Sequence, residues 1–459
     1  MSEMIPDVAY YRNHVNRVWR APDRPSLDGG IVIPEPVADR GPKAFNTYQE
    51  ALSDPEMHLP TDARYVVWQD SWGNPDMEYV FGSILSDTNS NNDILVLPER
   101  DQPYTIDLSE GFRARGVGAV LGYDDVRLPI ISRYRNSRDA RGWFSAGRAR
   151  RGILGLGPDA KIQMINPGGW QQEQQVQDSG SVYQHPYKPG VTFTSPGRIW
   201  YNTAGATQVE LRGGQEKIFD AAHPRSYWGN FTFMPHLDLG GVGFHAIATG
   251  GDAPTFERIN FDAAWHGYLG IPNGEMGAIS IAGVDSYYIG RCILNTRLPN
   301  GFRTGSSPIM INNATSGRIE HIRSAETYAG MLTLWDCRGG KHTLVNVDAQ
   351  WTRPGINLEK LGLGFELEWI GGTLWSNYQN RSTRTPKPSD IAQFPGGLHI
   401  SLNSPGGSSV ITFRGVDFDE SLNPGLNIQG WGGTSNKQTV DTIKAYDVNG
   451  NPIPVRYYS

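Results

Sequence analysis

The sequence predicts an all-β fold in which short parallel strands stack as the coils of a solenoid. Glycine accounts for 55 of the 459 residues and proline for 31, and both residue types interrupt helices. Helical periodicity is nearly absent after residue 90, where short apolar runs alternate with Gly, Asn and Asp. A strand pattern also recurs at intervals typical of solenoid coils. These observations favour a solenoid over a helical bundle, and the aromatic content of 11% excludes an intrinsically disordered chain.

The repeat is clearest between residues 255 and 420. An apolar-x-apolar strand is followed eight to ten residues later by a second, shorter apolar pair: Ile279-x-Ile281 with Ile289-x-x-Cys292, Ile309-x-Ile311 with Ile319-x-x-Ile322, Leu332-x-Leu334 with Leu344-x-x-Val347, and later Leu398-x-Ile400 with Val410 to Val416. Positions 281, 311 and 334 recur at intervals of 30 and 23 residues. One such coil cannot bury its inward side chains alone, so successive coils must stack.

Stacked coils predict two buried columns, one formed by Ile289, Ile319 and Leu344 and the other by Cys292, Ile322 and Val347. Cys292 is then a core hydrophobe. Cys337 falls at a different point of its coil, so we expect no disulfide. Glycine and asparagine are expected at the corners, where the backbone needs positive φ.

The N-terminal segment differs from the rest, because residues 1–60 contain eight prolines and one plausible helix, Val8 to Trp19. Proline fixes φ and removes a hydrogen-bond donor, so this segment should run extended across a surface. It is either a loose tail or an arm ordered by another subunit. The apolar residues Tyr10, Tyr11 and Trp19 favour the arm.

At the other end, Thr442 to Val448 and Pro452 to Tyr458 flank Asn449-Gly450, a strong two-residue hairpin signal. A hairpin here would shield the last coil's open edge. The predicted division is an N-terminal arm or attachment region over residues 1–90, a solenoid over 91–420 and a C-terminal cap with a β-hairpin over 421–459.

Composition excludes several function classes. The net charge of −6 provides no field that would attract nucleic acid. Two cysteines cannot form a disulfide framework. The first twenty residues lack the apolar core of a signal peptide, and no run approaches the roughly 18 apolar residues of a membrane span. We therefore expect a protein that is made in a reducing cytoplasm and does not insert into membranes.

The segment Asn91 to Pro98, followed by Tyr104-Thr105-Ile106, resembles the opening coil of pectate-lyase-like right-handed parallel β-helices. The recurring Ile-x-Ile coils fit the same superfamily. A β-helix with a proline-rich leading arm and no signal peptide looks like a bacteriophage tail spike, tail fibre or minor tail protein. The resemblance implies a homotrimer in the virion tail. It would attach to other tail proteins through its N-terminal arm and grip a host-surface polysaccharide. It also leaves open a depolymerase that acts as a polysaccharide lyase or glycoside hydrolase, and a purely architectural subunit.

Cleavage of a polysaccharide requires two carboxylates, or a base beside a cation. Strand alternation places Asp417 and Asp419 on one face, and likewise Glu366 and Glu368. Arg323 and Asp348 each follow a column residue, so they should stack about 4.8 Å apart, as should His321 and Asn346. Each set has a plain alternative, namely a solvated face or a surface ion pair.

Aromatic residues are the stronger signal for a glycan-binding groove: Trp335, Trp351, Trp369, Trp375 and Tyr378 fall within about two coils. An exposed aromatic ring offers a flat apolar face to a sugar. The alternative is an inward aromatic stack, although Trp351 and Trp375 adjoin polar residues typical of corners.

Arginines are dense near the front of the solenoid, at positions that include Arg138, Arg141, Arg148, Arg150 and Arg151. We interpret them as a solvated basic face, a docking site for an acidic virion protein, or a site for an anionic glycan. No histidine spacing or EF-hand loop indicates a cofactor or metal, although a β-helix turn can hold structural Ca²⁺ without a local motif.

Overall fold

The computed structural model describes residues 37, 39–69, 93–107, 141–145, 150–165, 170–176, 182–184, 192–194, 197–202, 209–211, 216–221, 224–234, 244–249, 252–262, 276–295, 308–324, 332–337, 339–351, 356–359, 361–376, 398–401, 409–418, 426–431 and 442–458. The fold is all-β, with long sheets of parallel strands, as the sequence predicted. Within these residues, no helix is long and apolar enough to cross a membrane.

The described elements are one short helix and a series of strands: α1 (Tyr48–Ser53), β1 (Arg64–Val67), β2 (Asp93–Leu97), β3 (Tyr104–Asp107), β4 (Arg141–Ser145), β5 (Arg150–Gly155), β6 (Lys161–Ile165), β7 (Trp170–Val176), β8 (Val182–Gln184), β9 (Thr192–Thr194), β10 (Gly197–Asn202), β11 (Val209–Leu211), β12 (Glu216–Ala221), β13 (Tyr227–Gly229), β14 (Thr232–Met234), β15 (Phe244–Thr249), β16 (Thr255–Glu257), β17 (Asn260–Asp262), β18 (Met276–Ala282), β19 (Tyr288–Gly290), β20 (Ile293–Asn295), β21 (Ile309–Asn312), β22 (Gly317–Glu320), β23 (Arg323–Ser324), β24 (Leu332–Trp335), β25 (Gly340–Trp351), β26 (Ile356–Glu359), β27 (Phe365–Ser376), β28 (Leu398–Ser401), β29 (Val410–Arg414), β30 (Asp417–Phe418), β31 (Leu426–Trp431), β32 (Thr442–Tyr446) and β33 (Val455–Tyr458).

Most strands stack in three ladders of parallel pairs. Ladder A runs β1-β2-β5-β13-β16-β19-β22-β25-β27-β29-β32. Ladder B runs β3-β6-β14-β17-β20-β23-β25-β27-β30. Ladder C runs β4-β12-β15-β18-β21-β24-β26-β28-β31-β33. The chain visits C, A and B in turn through most of its coils, which is the arrangement of an all-β solenoid.

The predicted columns are confirmed by the register of the ladders. Ile281, Ile311 and Leu334 are paired in successive strands of ladder C. Ile289, Ile319 and Leu344 do the same in ladder A, and all are fully buried. This column continues in both directions as Leu95, Ile153, Trp228, Phe256, Trp369, Phe413 and Ala445. Each buried Ile, Leu or Phe of this column contributes roughly 1.5–3 kcal/mol by leaving water.

Cys292 is fully buried beside Ile322 and Val347, as the sequence predicted for a core hydrophobe. Burial raises the pKa of its thiol to about 12, so the group stays protonated at neutral pH. Cys337 is also buried and forms no disulfide.

The β-structure starts before the predicted boundary at residue 91 and continues beyond residue 420. Arg64–Val67 is already the first strand of ladder A, paired in parallel with Asp93–Leu97. At the other end, Leu426–Trp431 and Val455–Tyr458 extend ladder C.

The predicted C-terminal hairpin is wrong in its pairing. Thr442–Tyr446 pairs in parallel with Val410–Arg414 in ladder A, whereas Val455–Tyr458 pairs in parallel with Leu426–Trp431 in ladder C. The Asn449-Gly450 turn exists, because Asp447 Oδ1 accepts the backbone N–H groups of Asn449 and Asn451 at 2.8 Å. Its strands diverge because Ile443 and Val455 pack against the core from two ladders, leaving one antiparallel bridge, Tyr446 to Pro452.

Two small antiparallel sheets interrupt the solenoid between β6 and β12. One contains β7, β10 and β11, with β10 in the centre, and the other is the pair β8–β9. They belong to a connection from ladder B to ladder C. Two further long connections, residues 108–140 and 377–397, also run from ladder B to ladder C, whereas residues 68–92 join two strands of ladder A.

Candidate functional site

The N-terminal segment 39–69, here called the strap, lies along the outside of the solenoid. The Gly41 N–H donates to the Arg291 carbonyl oxygen, and the Phe45 N–H donates to the Leu156 carbonyl oxygen, both at 2.8 Å. The strap therefore passes from a later coil to an early one between Gly41 and Phe45, returns to Arg258 and Arg291 at Glu56, and then enters ladder A as β1. Neither interpretation of the N-terminal segment, a loose tail or an arm ordered by another subunit, describes residues 39–69, because contacts with the solenoid of the same chain hold them in place. Residues 1–36, with Tyr10, Tyr11 and Trp19, lie outside the described residues.

An apolar contact anchors the middle of the strap. Ala51 of α1 is fully buried, and Met57 nearly so, in a small second core with Ile94, Val96 and Leu154 on the outer face of ladder A. Thr47 caps α1, since its hydroxyl oxygen accepts the Glu50 N–H. The proline-rich composition predicted an extended path across a surface. For residues 39–69 that surface is the solenoid of the same chain.

The strap crosses the solenoid at the corner between ladders A and B. In successive coils this corner is formed by residues with positive φ: Asn230, Arg258, Arg291, His321, Asn346, Gly371 and Gly415. Glycine and asparagine were predicted at such corners, but arginine and histidine were not. An arginine pays a steric cost in the left-handed region, so its contacts with the strap must offset that cost.

Arg258 makes the densest of these contacts and is fully buried. Its Nη1 lies 3.2 Å from Asp39 Oδ2 and donates to the Gly41 carbonyl oxygen, and its Nη2 lies 2.9 Å from Glu56 Oε2. Arg291 Nη1 approaches the same Glu56 oxygen at 2.8 Å. The hydrogen bond from Arg291 is the main cause of the lowered pKa of Glu56.

Two residues after Glu56, His58 of the strap binds the buried carboxylate of Glu257 in the solenoid. Glu257 accepts from the His58 backbone N–H and lies 2.8 Å from Nδ1, and it also accepts from the Tyr227 hydroxyl at 2.9 Å. The hydrogen bond to Glu257 raises the pKa of His58. The His58 ring also contacts Tyr288, whose hydroxyl donates to Glu320 at 2.8 Å.

Arg323 and Asp348 are register partners in ladder B, as predicted. His321 and Asn346 occupy equivalent positions in neighbouring coils, because Glu320, which precedes His321, pairs with Val345, which precedes Asn346. The salt bridge of Asp348, however, is with Arg40 of the strap, at 2.5 Å. Asp348 is thus a buried anchor for the strap, and Arg323 is exposed.

The predicted pair Glu366 and Glu368 does share the outward face of β27, because Phe365, Leu367 and Trp369 between and beside them are buried. Glu368 lies 2.5 Å from Lys341 Nζ and 3.0 Å from Arg414 Nε. Partial burial acts to raise its pKa, but the hydrogen bonds and charges of Lys341 and Arg414 outweigh it and lower the pKa. Asp417 is paired in register with Thr373, and Asp419 lies outside the described residues.

Among the predicted glycan-binding aromatics, Trp369 is fully buried and packs against Phe413, with its indole N–H donating to the Gly371 carbonyl oxygen at 2.9 Å. Its ring therefore offers no face to a sugar. Trp335 lies in β24. The register places Trp375 beside Gln350 and Trp351 beside Ser376. Tyr378 lies outside the described residues.

One arginine of the predicted basic face is not on the surface of the protein. Arg151 is almost fully buried, lies 2.7 Å from Asp62 of the strap and donates to the Arg225 carbonyl oxygen at 3.1 Å. It docks the chain's own strap rather than a partner. Arg141 and Arg150 begin β4 and β5, and Arg138 and Arg148 lie outside the described residues.

Over the described part of the chain, no group of three or more His, Cys, Asp or Glu residues could hold a metal ion. Comparison of the chain with protein-family models, with curated proteins and with solved structures finds no match.

Proposed function

We propose that this chain is a structural protein of a bacteriophage tail, a spike, fibre or minor tail protein, that recognises a host-surface polysaccharide. In this proposal the solenoid is a right-handed, pectate-lyase-like β-helix, and residues 1–36 attach it to other tail proteins. The virion tail is then its location, and a homotrimer its working form.

One observation carries the recognition role. Three long connections of the solenoid, residues 108–140, 166–215 and 377–397, join ladder B to ladder C. Among the other connections between described strands, only residues 68–92, which join two strands of ladder A, reach a similar length, so most long insertions lie between ladders B and C. Binding residues are disproportionately found on loops positioned in this way.

The test is binding and mass measured on one sample of the full chain. Light scattering should give about three times the chain mass of 50.7 kDa, and purified bacterial surface polysaccharide should bind without being shortened. A mass of one chain would contradict the trimer alone. No binding to any polysaccharide from susceptible cells would overturn the recognition role.

A depolymerase remains the second candidate, because Glu366 and Glu368 are two carboxylates on the outward face of β27, and glycoside hydrolases act with a pair of carboxylates. The ionic partners of Glu368 act against it, since they favour its charged form and a proton donor needs a raised pKa. If the polymer is shortened, E366Q and E368Q should each abolish turnover; retained turnover would exclude this pair.

A further inference from the structure

Glu257 of the solenoid is a buried carboxylate whose ionic partner comes from the strap. Its side chain is 1% exposed, whereas the side chain of His58 is half exposed. One carboxylate oxygen accepts the His58 backbone N–H and the Tyr227 hydroxyl, and the other lies 2.8 Å from His58 Nδ1. Among the salt bridges between described residues, Glu257 takes part only in the one with His58. The charge of this buried group is therefore balanced by a side chain that titrates near neutral pH.

The other groups that act on His58 belong to ladder A and to the corner beside it. Its ring packs against the Tyr288 ring, with the centroids 4.4 Å apart. Glu320, which accepts the Tyr288 hydroxyl, adds a second negative charge, and Arg291 adds an opposing positive charge. The hydrogen bond to Glu257 outweighs the desolvation of the ring and the charge of Arg291, so the pKa of His58 is raised. The contacts of the strap thus favour the protonated ring.

Loss of the His58 proton should weaken the docking of the strap. A carboxylate held out of water is costly without a counter-charge, and lifting the strap removes His58 from Glu257 and lets water reach it. Because the folded-state pKa of His58 lies above its unfolded value, the ionic contribution is complete below about pH 6.5. It is lost as the pH rises through the folded-state value.

A second histidine at the strap interface, His321, titrates in the opposite sense. It lies at the corner between ladders A and B and is 8% exposed, and its Nδ1 is buried with no hydrogen-bond partner within the described part of the chain. Burial is the main cause of its lowered pKa. The charged groups that act on it are Glu320, which opposes the shift, and Arg291, Arg40 and Arg318, which add to it.

Protonation of His321 should also weaken docking. Arg40 belongs to the strap and is held by Asp348, and a proton on His321 would place a further positive charge beside it. Because the folded-state pKa of His321 lies below its unfolded value, the contribution of the neutral ring is present above about pH 6.5. It is lost as the pH falls through the folded-state value.

We propose that pH controls how often the strap opens, because docking requires both a protonated His58 on the buried Glu257 and a neutral His321 beside Arg40. Both conditions are met near pH 6.5, so opening is rarest there and becomes more frequent on either side. Buried Ala51 and Met57 anchor the strap at every pH in this range. The inference goes beyond the proposed function and does not depend on it, since it concerns contacts between two parts of one chain.

The experiment is amide hydrogen exchange of the full chain at pH 5, 6.5 and 8, with each rate divided into the rate of an unstructured peptide at the same pH to give a protection factor. In the wild type, the protection of residues 39–63 should be highest at pH 6.5 and about threefold or more lower at pH 5 and at pH 8. His58→Gln should remove the loss at pH 8, because a glutamine amide donates to Glu257 at every pH. His321→Gln should remove the loss at pH 5 and keep the loss at pH 8. Each variant is therefore the matched control for the other.

Protection in β29 and β32 is the internal reference. These strands lie beyond Asp348 in the solenoid, so a loss of stability of the whole molecule would lower their protection as well. If the protection of residues 39–63 relative to this reference is the same at all three pH values, the inference is overturned. It is equally overturned if both variants keep the wild-type profile, since other groups would then cause the pH dependence. A profile that changes in His58→Gln but not in His321→Gln would overturn the role of His321 alone.

Discussion

Asn230 joins three parts of the chain through one buried side chain. Its Oδ1 accepts the Lys43 N–H at 2.6 Å, and its Nδ2 donates to the carbonyl oxygens of Lys43 and Gly155, both at 2.8 Å. Its φ of 60° also forms the corner between ladders A and B. Asparagine suits both tasks, because it tolerates the left-handed region and carries a donor and an acceptor.

We predict that Asn230→Gly lowers the free energy of unfolding by about 2–4 kcal/mol, because glycine keeps the corner but removes the hydrogen-bond partner of the Lys43 backbone and of the buried Gly155 carbonyl oxygen. Asn313→Gly is the control, since Asn313 has a similar φ of 52° and should change stability by less than about 1 kcal/mol. Urea denaturation monitored by tryptophan fluorescence measures both. Equal losses in the two variants would mean that the hydrogen bonds between Asn230 and Lys43 add no stability.

His342 is a buried histidine inside the solenoid. Its Nδ1 lies 3.0 Å from the Tyr287 hydroxyl, and its ring stacks on Phe365. Burial lowers its pKa from 6.5 to about 4. A neutral imidazole is therefore part of the folded core at neutral pH.

The pH dependence of stability follows from that shift. The folded-state pKa lies below the unfolded value, so the contribution of the neutral ring is present above pH 6.5 and is lost as the pH falls toward 4. Between pH 7 and pH 5 the wild type should lose about 2 kcal/mol more than His342→Gln, measured by denaturation at each pH. His58→Gln should change the dependence in the opposite direction, because the pKa of His58 is raised. Parallel curves for wild type and His342→Gln would contradict the assignment.

At the scale of elements, the strands that could be predicted are those whose apolar residues repeat in register. Ile281, Ile311 and Leu334 were recognisable because one inward position recurs with each coil. The strap was not predictable, since its partners lie far along the sequence; Arg40 and Asp348, for example, are separated by 308 residues. Asn449-Gly450 correctly indicated a turn, but a turn signal does not say which sheets its flanking strands join.

The antiparallel sheet of β7, β10 and β11 had a sequence signal that could have predicted it. The glutamine-rich run Trp170–Val176, followed by the short strands up to Val209–Leu211, does not fit the apolar-x-apolar repeat of the coils. A stretch without the coil repeat, placed inside a repeating chain, is typical of an insertion.

Neighbouring strands of a ladder approach so closely at some glycines that no side chain fits. A Cβ on Gly372 of β27 would lie 2.3 Å from the Val347 carbonyl oxygen, and its φ is +83°. Gly283 has a comparable φ of +68°, but a Cβ there would meet nothing within 4 Å. The two positions therefore separate the cost of the backbone conformation from the cost of a clash between coils.

We predict that Gly283→Ala costs about 1–2 kcal/mol from the left-handed backbone alone, and that Gly372→Ala costs at least about 2 kcal/mol more, because β25 and β27 must move apart. Thermal unfolding of both variants makes the comparison. Losses of the same size would show that the ladder absorbs the added methyl group without a shift.

For the whole molecule, the strap changes how stability is distributed along the solenoid. In a solenoid each coil contacts only its neighbours, so local unfolding spreads one coil at a time. The strap contacts coils from Asp93, paired with Arg64, to Asp348, paired with Arg40. It should therefore make those coils open together rather than singly.

Amide hydrogen exchange on Arg258→Met tests this coupling. Loss of the buried guanidinium leaves Asp39 and the Gly41 carbonyl oxygen without their partner, so the strap should detach more often. We expect exchange to become tenfold or more faster in residues 39–69 and in β13, β16 and β19, with no change in β29 and β32, which lie beyond Asp348. Arg318→Met is the matched control, because the exposed Arg318 pairs only with Glu320 among the described salt bridges, and a surface pair contributes little. Faster exchange spread evenly as far as β32 would mean that Arg258 stabilises the whole solenoid rather than the strap. The strap would then not couple the opening of the coils that it contacts.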